Sequence, residues 1–156
     1  MINTNKMILL VEDNDADAEL ASRAFQTATV TNLLVRAHDG LEALDYLFAQ
    51  GKYAARDAHD LPVFVLLDLN IPKISGLKVL EAIRADACAR YLPVIVLTSS
   101  GEERDRLGAY NRFANSYVIK SLDYDRFVSA AQQLSHYWTE LNAPAPLLSS
   151  NSYDVR

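Results

Sequence analysis

Val63-Phe64-Val65-Leu66-Leu67-Asp68-Leu69-Asn70-Ile71-Pro72 is the stretch that decides the fold of this 156-residue chain. Five consecutive large apolar residues, bounded by turn formers at Pro62 and at Asn70 and Pro72, read as a strand buried on both faces, the habit of parallel sheets. Asp68 follows at once. A carboxylate in that position sits at the carboxyl end of a central strand, where the ligand crevice of an open α/β sheet lies.

On either side the chain alternates strand and helix patterns without an internal repeat, the signature of βαβ units. Met7 to Val11 is a short apolar run ending in Glu12-Asp13. Asn14 or Asp15 then caps a helix with Leu20, Ala21, Ala24, Phe25 and Ala28 at helical spacing. Leu33-Leu34-Val35 forms a second strand, and Asp39-Gly40-Leu41-Glu42 has capping-box spacing ahead of Leu41, Leu44, Leu47 and Phe48 on one side of a helix. Residues 50–61 read as an exposed connection into the Val63–Leu67 strand.

After Asp68 a loop over residues 70–75 leads to a third helix with Leu77, Leu80 and Ile83 on its buried stripe. Val94 to Leu97 is the fourth strand and ends in Thr98-Ser99-Ser100. Ser100-Gly101-Glu102-Glu103 again has capping-box spacing and predicts a fourth helix from there, presenting Leu107, Tyr110, Phe113 and Ala114. Tyr117 to Lys120 is a short fifth strand. Asp123 caps a last helix in which Phe127, Ala130, Ala131, Leu134, Trp138 and Leu141 recur every three or four residues. The expectation is one α/β domain over residues 1–141, a doubly wound five-stranded parallel sheet with helices on both faces. A Pro/Ser-rich tail follows over 142–156, with no output domain.

Composition narrows the function classes. At 50% hydrophobic and 22% charged residues the chain can bury a full core. A net charge of −5 argues against direct nucleic-acid binding, which shows as clustered Lys and Arg. A single cysteine, Cys88, excludes an internal disulfide and a cysteine-based zinc cage. No run approaches the roughly 18 apolar residues of a membrane span, and acidic residues interrupt the start before a signal-peptide core completes. The expected location is the cytoplasm. His38, His59 and His136 share no metal-ligand spacing, and none is placed as a phosphodonor.

The chemistry emerges when the strand ends are taken together. Glu12 and Asp13 end the first strand, Asp68 the third, Thr98 the fourth and Lys120 the fifth, so three carboxylates, a hydroxyl and an ammonium converge on one crevice. Clustered carboxylates repel one another and suit a hard divalent cation such as Mg²⁺, which takes oxygen ligands and a phosphate oxygen. Lys120 and Thr98 add a charge and a donor for an anion that the carboxylates alone would reject. Such a site fits a phosphoryl group at Asp68.

These residues together resemble the receiver domain of a two-component response regulator, of the CheY-like type. The resemblance rests on Glu12-Asp13, on Leu67 to Pro72 with Gly76 beyond, on Thr98-Ser99, and on Lys120 three residues after the aromatic Tyr117. It implies the flavodoxin-like strand order 2-1-3-4-5. It implies that Asp68 is the nucleophile taking a phosphoryl group from a phosphohistidine on a partner kinase. Glu12, Asp13, Asp68 and the backbone carbonyl of Asn70 would hold Mg²⁺, Lys120 would pair with the phosphoryl oxygens, and Thr98 would hydrogen-bond one of them. Tyr117 would rotate behind Thr98 and change the surface of the fourth helix, fifth strand and fifth helix. The domain would be no enzyme in the usual sense, catalysing only its own phosphorylation and dephosphorylation.

The spellings LLVEDNDAD, LLDLNIPK, VLTSS and NSYVIK, with Tyr137-Trp138 late in the last helix, are similar to small stand-alone regulators paired with phytochrome-type sensor histidine kinases. Leu20 and Phe25 would lie near the kinase. A homodimer would form through Tyr110, Tyr124 and Phe127, or through an arm with Leu147, Leu148, Tyr153 and Val155, the alternative for the tail being disorder. One departure stands out, because receivers usually follow the lysine with proline and here Ser121 stands there. A cis bond to a non-proline residue costs about 2.5–4 kcal/mol, so a trans or a strained cis Lys120–Ser121 bond is expected.

Other classes compete. A phosphohydrolase with an aspartate nucleophile usually needs a second acid two residues on, and position 70 is Asn. A docking module that is never phosphorylated tends to lose the aspartate, the acidic pair or the lysine, all kept here. A phosphorelay intermediate that passes the group to another histidine fits equally well. Taken singly, the acidic pair is a solvated helix start, Tyr117 a packed strand aromatic and Asn70 a turn residue.

Overall fold

Apolar runs of four or five residues are too short for helices and bury both faces only as inner strands. In a computed structural model of the chain, which describes residues 7–28 and 33–146, they form β1 (Met7–Val11), β2 (Leu33–Ala37), β3 (Phe64–Leu67), β4 (Val94–Thr98) and β5 (Ser116–Ile119). The sheet is parallel throughout with order β2-β1-β3-β4-β5. Helices α1 (Asp15–Ala28), α2 (Gly40–Phe48), α3 (Gly76–Ala85), α4 (Glu103–Asn111) and α5 (Tyr124–His136) connect the strands. The proposed tail arm residues Leu147, Leu148, Tyr153 and Val155 lie outside the described residues.

The period-2 geometry of a strand sends alternate side chains to opposite faces, and the core divides accordingly. Leu9, Val11, Val65, Leu67, Val94 and Val96 pack beneath α2, α3 and α4. Ile8, Leu10, Phe64, Leu66, Ile95 and Leu97 pack beneath α1 and α5. Each such fully buried side chain stabilises the fold by about 1.5–3 kcal/mol relative to exposure.

Helix starts follow local chemistry. The Asn14 side chain accepts from Asp17 N at 2.9 Å, and Asp39 accepts from Glu42 N at 2.7 Å. Glu42 in turn accepts from His38 through N at 2.9 Å and Nδ1 at 2.8 Å, and from Lys52 Nζ at 2.7 Å. Burial alone would raise the Glu42 carboxyl, but these bonds outweigh it and hold it down at about 2.

Several helix faces differ from their sequence-based expectation. Helix α4 starts at Glu103, because Ser100 Oγ donates to Asp105 Oδ2 at 2.6 Å and makes no capping-box pair with Glu103. Leu107, Tyr110 and Phe113 are exposed, and only Ala109 and Ala114 turn inward. Helix α2 buries Ala43, Tyr46 and Leu47 and leaves Leu41 outside. Past α5, which buries Ser135, the chain continues as a π-turn over Tyr137–Leu141 that buries Thr139 and leaves Leu141 exposed, off the expected stripe. The 50–61 connection is anchored where the sequence suggested none: the Arg56 guanidinium stacks 3.7 Å from the Tyr46 ring centroid and donates to the Tyr46 carbonyl.

Two ties fix the carboxyl side of β3 and its neighbours. A Cβ at Gly76 would collide with the carbonyl of Asp68, so this position requires glycine for close backbone approach. At the opposite end, the half-buried Arg84 guanidinium donates to the carbonyls of Arg90, Leu92 and Phe113 and to Asn115 Oδ1, stitching α3 to the entries of β4 and β5.

Gly76→Ala is expected to lower the unfolding free energy in urea titrations by roughly 1–3 kcal/mol. Gly101→Ala, where the added carbon meets only Ile119 Cδ1 at 3.6 Å, is expected to leave it unchanged. Because the Glu42 carboxyl lies below its unfolded value of 4.5, its stabilisation is present above pH 4.5 and is lost as pH falls through about 2. Thermal melts between pH 5 and pH 2 should therefore fall more steeply for the parent chain than for Glu42→Gln.

Candidate functional site

All five strands point the same way, so their carboxyl ends converge on one edge of the sheet. Asp68 N donates to the carbonyl of Val11 at 3.1 Å, and Lys120 N donates to the carbonyl of Thr98 at 2.8 Å, continuing the ladders past the strand ends. Glu12, Asp68, Thr98 and Lys120 are thereby held by the sheet itself.

The side chains meet as the sequence predicts. Ligand oxygens of Glu12, Asp13 and Asp68 lie within 4.8 Å of one another, with Glu12 and Asp68 buried and Asp13 exposed. An all-oxygen set that is closed on two sides and open at Asp13 fits a hard divalent cation retaining some of its water. Asn70 follows in an exposed turn, and its N donates to Asp68 Oδ1 at 3.2 Å. Lys120 Nζ donates to Glu12 Oε2 at 2.8 Å and to Asp68 Oδ2 at 3.0 Å. The Lys120–Ser121 bond is trans.

Charge and burial set the electrostatics. Burial pushes the Glu12 carboxyl up to about 7, with nearby Asp68 adding to the rise and Lys120 opposing it. Burial also works against the Lys120 ammonium, but its bonds to Glu12 and Asp68 win and hold its pKa above the ordinary lysine value. Thr98 is fully buried, and its Oγ1 accepts from Ser100 N at 3.4 Å. Tyr117 is half-buried against the α4 side of the core and donates its hydroxyl to the Ser100 carbonyl at 2.9 Å. Burial raises that hydroxyl's pKa.

Two residues of the site escaped the sequence reading. Arg36, a lone cation at the end of an apolar strand, donates to the carbonyls of Glu12 and Asp13 at 3.0 and 3.2 Å and pairs with Asp15 at 2.8 Å. It braces the loop that carries the acidic pair. Asp17, in the first turn of α1, accepts from Lys120 Nζ at 3.1 Å. Its only sequence signal was an acidic residue near a helix start, which the dipole explains equally well.

Beside Lys120, between α1 and the segment joining β5 to α5, lies a cavity of about 210 Å³. Glu12, Asp17 and Lys120 form its polar end; Leu20, Leu122 and Phe127 lie on its apolar side. Phe25 is buried in the core and offers no surface to a partner, because the α1 stripe turns it towards Phe64. Phe127 is likewise a core residue, so it drops out of the expected dimer face.

Known proteins bear on this arrangement. The response regulator receiver domain family matches residues 8–132. The probable methanogenesis regulatory protein FilR2 of Methanothrix harundinacea is 39% identical over 141 residues, covering 90% of this chain and 88% of that protein. The response regulator Rcp1 of Synechocystis is 36% identical over 138 residues, covering 88% of this chain and 92% of its own. A Mn²⁺-bound crystal structure of Rcp1 superposes with a TM-score of 0.80 at 35% identity, over 90% of this chain and 99% of that one. The phosphorylated cyanobacterial phytochrome response regulator RcpA superposes with a TM-score of 0.83 at 34% identity, over 91% and 99% of the two chains. With the parallel 2-1-3-4-5 sheet and the acidic edge, these matches identify the chain as a member of the response regulator receiver domain family.

Proposed function

We propose that Asp68 accepts a phosphoryl group from a phosphohistidine of a sensor histidine kinase. The observation that carries this reading is the buried Asp68 carboxylate held at a strand end between Lys120 Nζ, 3.0 Å away, and the oxygen cluster of Glu12 and Asp13. An Asp68 oxygen attacks phosphorus, the O–P bond forms as the P–N bond breaks, and the electron pair stays on the imidazole nitrogen. Glu12, Asp13, Asp68 and the Asn70 carbonyl would hold Mg²⁺, which offsets charge building on the phosphoryl oxygens. Lys120 orients and neutralises one of those oxygens, and Thr98 donates its hydroxyl to another. The domain turns over no other substrate.

Thr98 and Tyr117 form the switch. Both bond to Ser100, Thr98 through its side chain and Tyr117 through the Ser100 carbonyl. A Thr98 hydroxyl drawn towards the phosphoryl group disturbs that turn, and the rearrangement reaches α4, β5 and α5. The exposed Leu107, Tyr110 and Ile119 supply apolar area there for self-association. Likeness to Rcp1 and to the phytochrome regulator RcpA supports a phytochrome-type kinase as the phosphodonor. Among the described residues no helix is long and apolar enough to cross a membrane, in keeping with action in the cytoplasm.

Intact-mass analysis after incubation with acetyl phosphate tests the reading. The expected result is a gain of about one phosphoryl group that requires Mg²⁺, is lost on chelation, and is absent in Asp68→Asn. Equal labelling of Asp68→Asn would place the acceptor elsewhere. No labelling of the parent chain would move the assignment to a docking module.

A further inference from the structure

Lys120 carries three N–H donors and no acceptor, and all three are engaged: Glu12 at 2.8 Å, Asp68 at 3.0 Å and Asp17 at 3.1 Å. The three carboxylates are unequal. The side chains of Glu12 and Asp68 are 3% and 9% exposed and are fixed at strand ends, whereas Asp17 is 46% exposed. Asp17 lies in the first turn of α1, held there by its backbone bond to Asn14 Oδ1. A phosphoryl group on Asp68 brings about −1.5 to −2 charges and three strong acceptors to this ammonium. Lys120 can bond a phosphoryl oxygen only by releasing a present partner. Asp17 recovers water most cheaply on release, and as a like charge it is also the neighbour that the incoming group repels.

We propose that Asp17 is a positioning residue, a resting-state anchor for the Lys120 ammonium that Lys120 exchanges for a phosphoryl oxygen when Asp68 is modified. The inference rests on the reading of Asp68 as phosphoacceptor. The anchor lowers the free energy of the resting state and so sets how readily the site accepts a phosphoryl group. It also joins the first turn of α1 to the site only while the site is unmodified. Phosphorylation then frees the Asp17 side chain in the first turn of α1, on the side where Leu20 and Lys120 line the cavity, while the buried face of the helix stays packed.

The test is the affinity for beryllium fluoride, a tetrahedral anion that caps a carboxylate oxygen as a phosphoryl group does, measured calorimetrically with saturating Mg²⁺. Asp17→Asn keeps the shape and removes the charge, and it should tighten binding by about two- to fivefold, the scale of one partly exposed ion pair. Asp17→Glu should restore the parent affinity. Glu19→Gln removes a charge from the same helix without touching Lys120, since Glu19 pairs with Arg23, and it should match the parent. Equal tightening in Asp17→Asn and Glu19→Gln would reduce the effect to general charge and overturn the proposal, as would unchanged or weaker binding in Asp17→Asn. Failure of the parent chain to take beryllium fluoride at all would instead overturn the assignment of Asp68.

Discussion

The ammonium of Lys120 lies within hydrogen-bond distance of carboxylates just past the ends of β1 and β3 and in the first turn of α1. Three like charges gathered at one sheet edge repel, and in a partly buried setting that repulsion is screened far less than in water. One cation placed between them turns the repulsion into three-way attachment. Residues separated by as many as 108 positions are thereby fastened at a single point. A cation entering on the open, Asp13 side would relieve the remaining excess of negative charge, so the site is built short of positive charge.

That point needs rigid surroundings, and the backbone supplies them. Gly76 lets α3 press against the Asp68 carbonyl, while Arg36 ties the β1–α1 loop to β2 through two carbonyls. Neither contact touches the crevice, yet each limits where a carboxylate oxygen can move. Arg84 does the corresponding work at the far end, its charge spread over three carbonyls and an amide oxygen. A lysine has no planar fork with which to do this.

The sheet and the five strand-end residues were legible because run length and turn formers report burial directly. Leu107 and Leu41 were misplaced because helical spacing gives a stripe without saying which stripe faces inward. Small residues, Ala109 on α4 and Ala43 on α2, take the inward positions, and close helix-to-sheet approach favours them. The start of α4 slipped by the same kind of ambiguity, since Glu102, Glu103 and Asp105 all follow Ser100 closely and its hydroxyl bonded the farthest of them, Asp105. Arg36 and Asp17 depend on which strand lies beside which and on where α1 sits over β5. That is tertiary information, which no local pattern carries.

The π-turn at the end of α5 has a consequence for whatever follows it. Widening the backbone ring inserts one extra residue into the helical count, so the side chains at the end of Tyr137–Leu141 are turned by up to about 100° from where an unbroken α-helix would place them, and Asn142, extended at φ −68° and ψ 129°, ends the helix. The buried Ser135 and Thr139, joined by a 2.5 Å bond from the Thr139 hydroxyl to the Ser135 carbonyl, hold that offset from inside the core. The bearing of the chain at Asn142 is thus set by the α5 backbone.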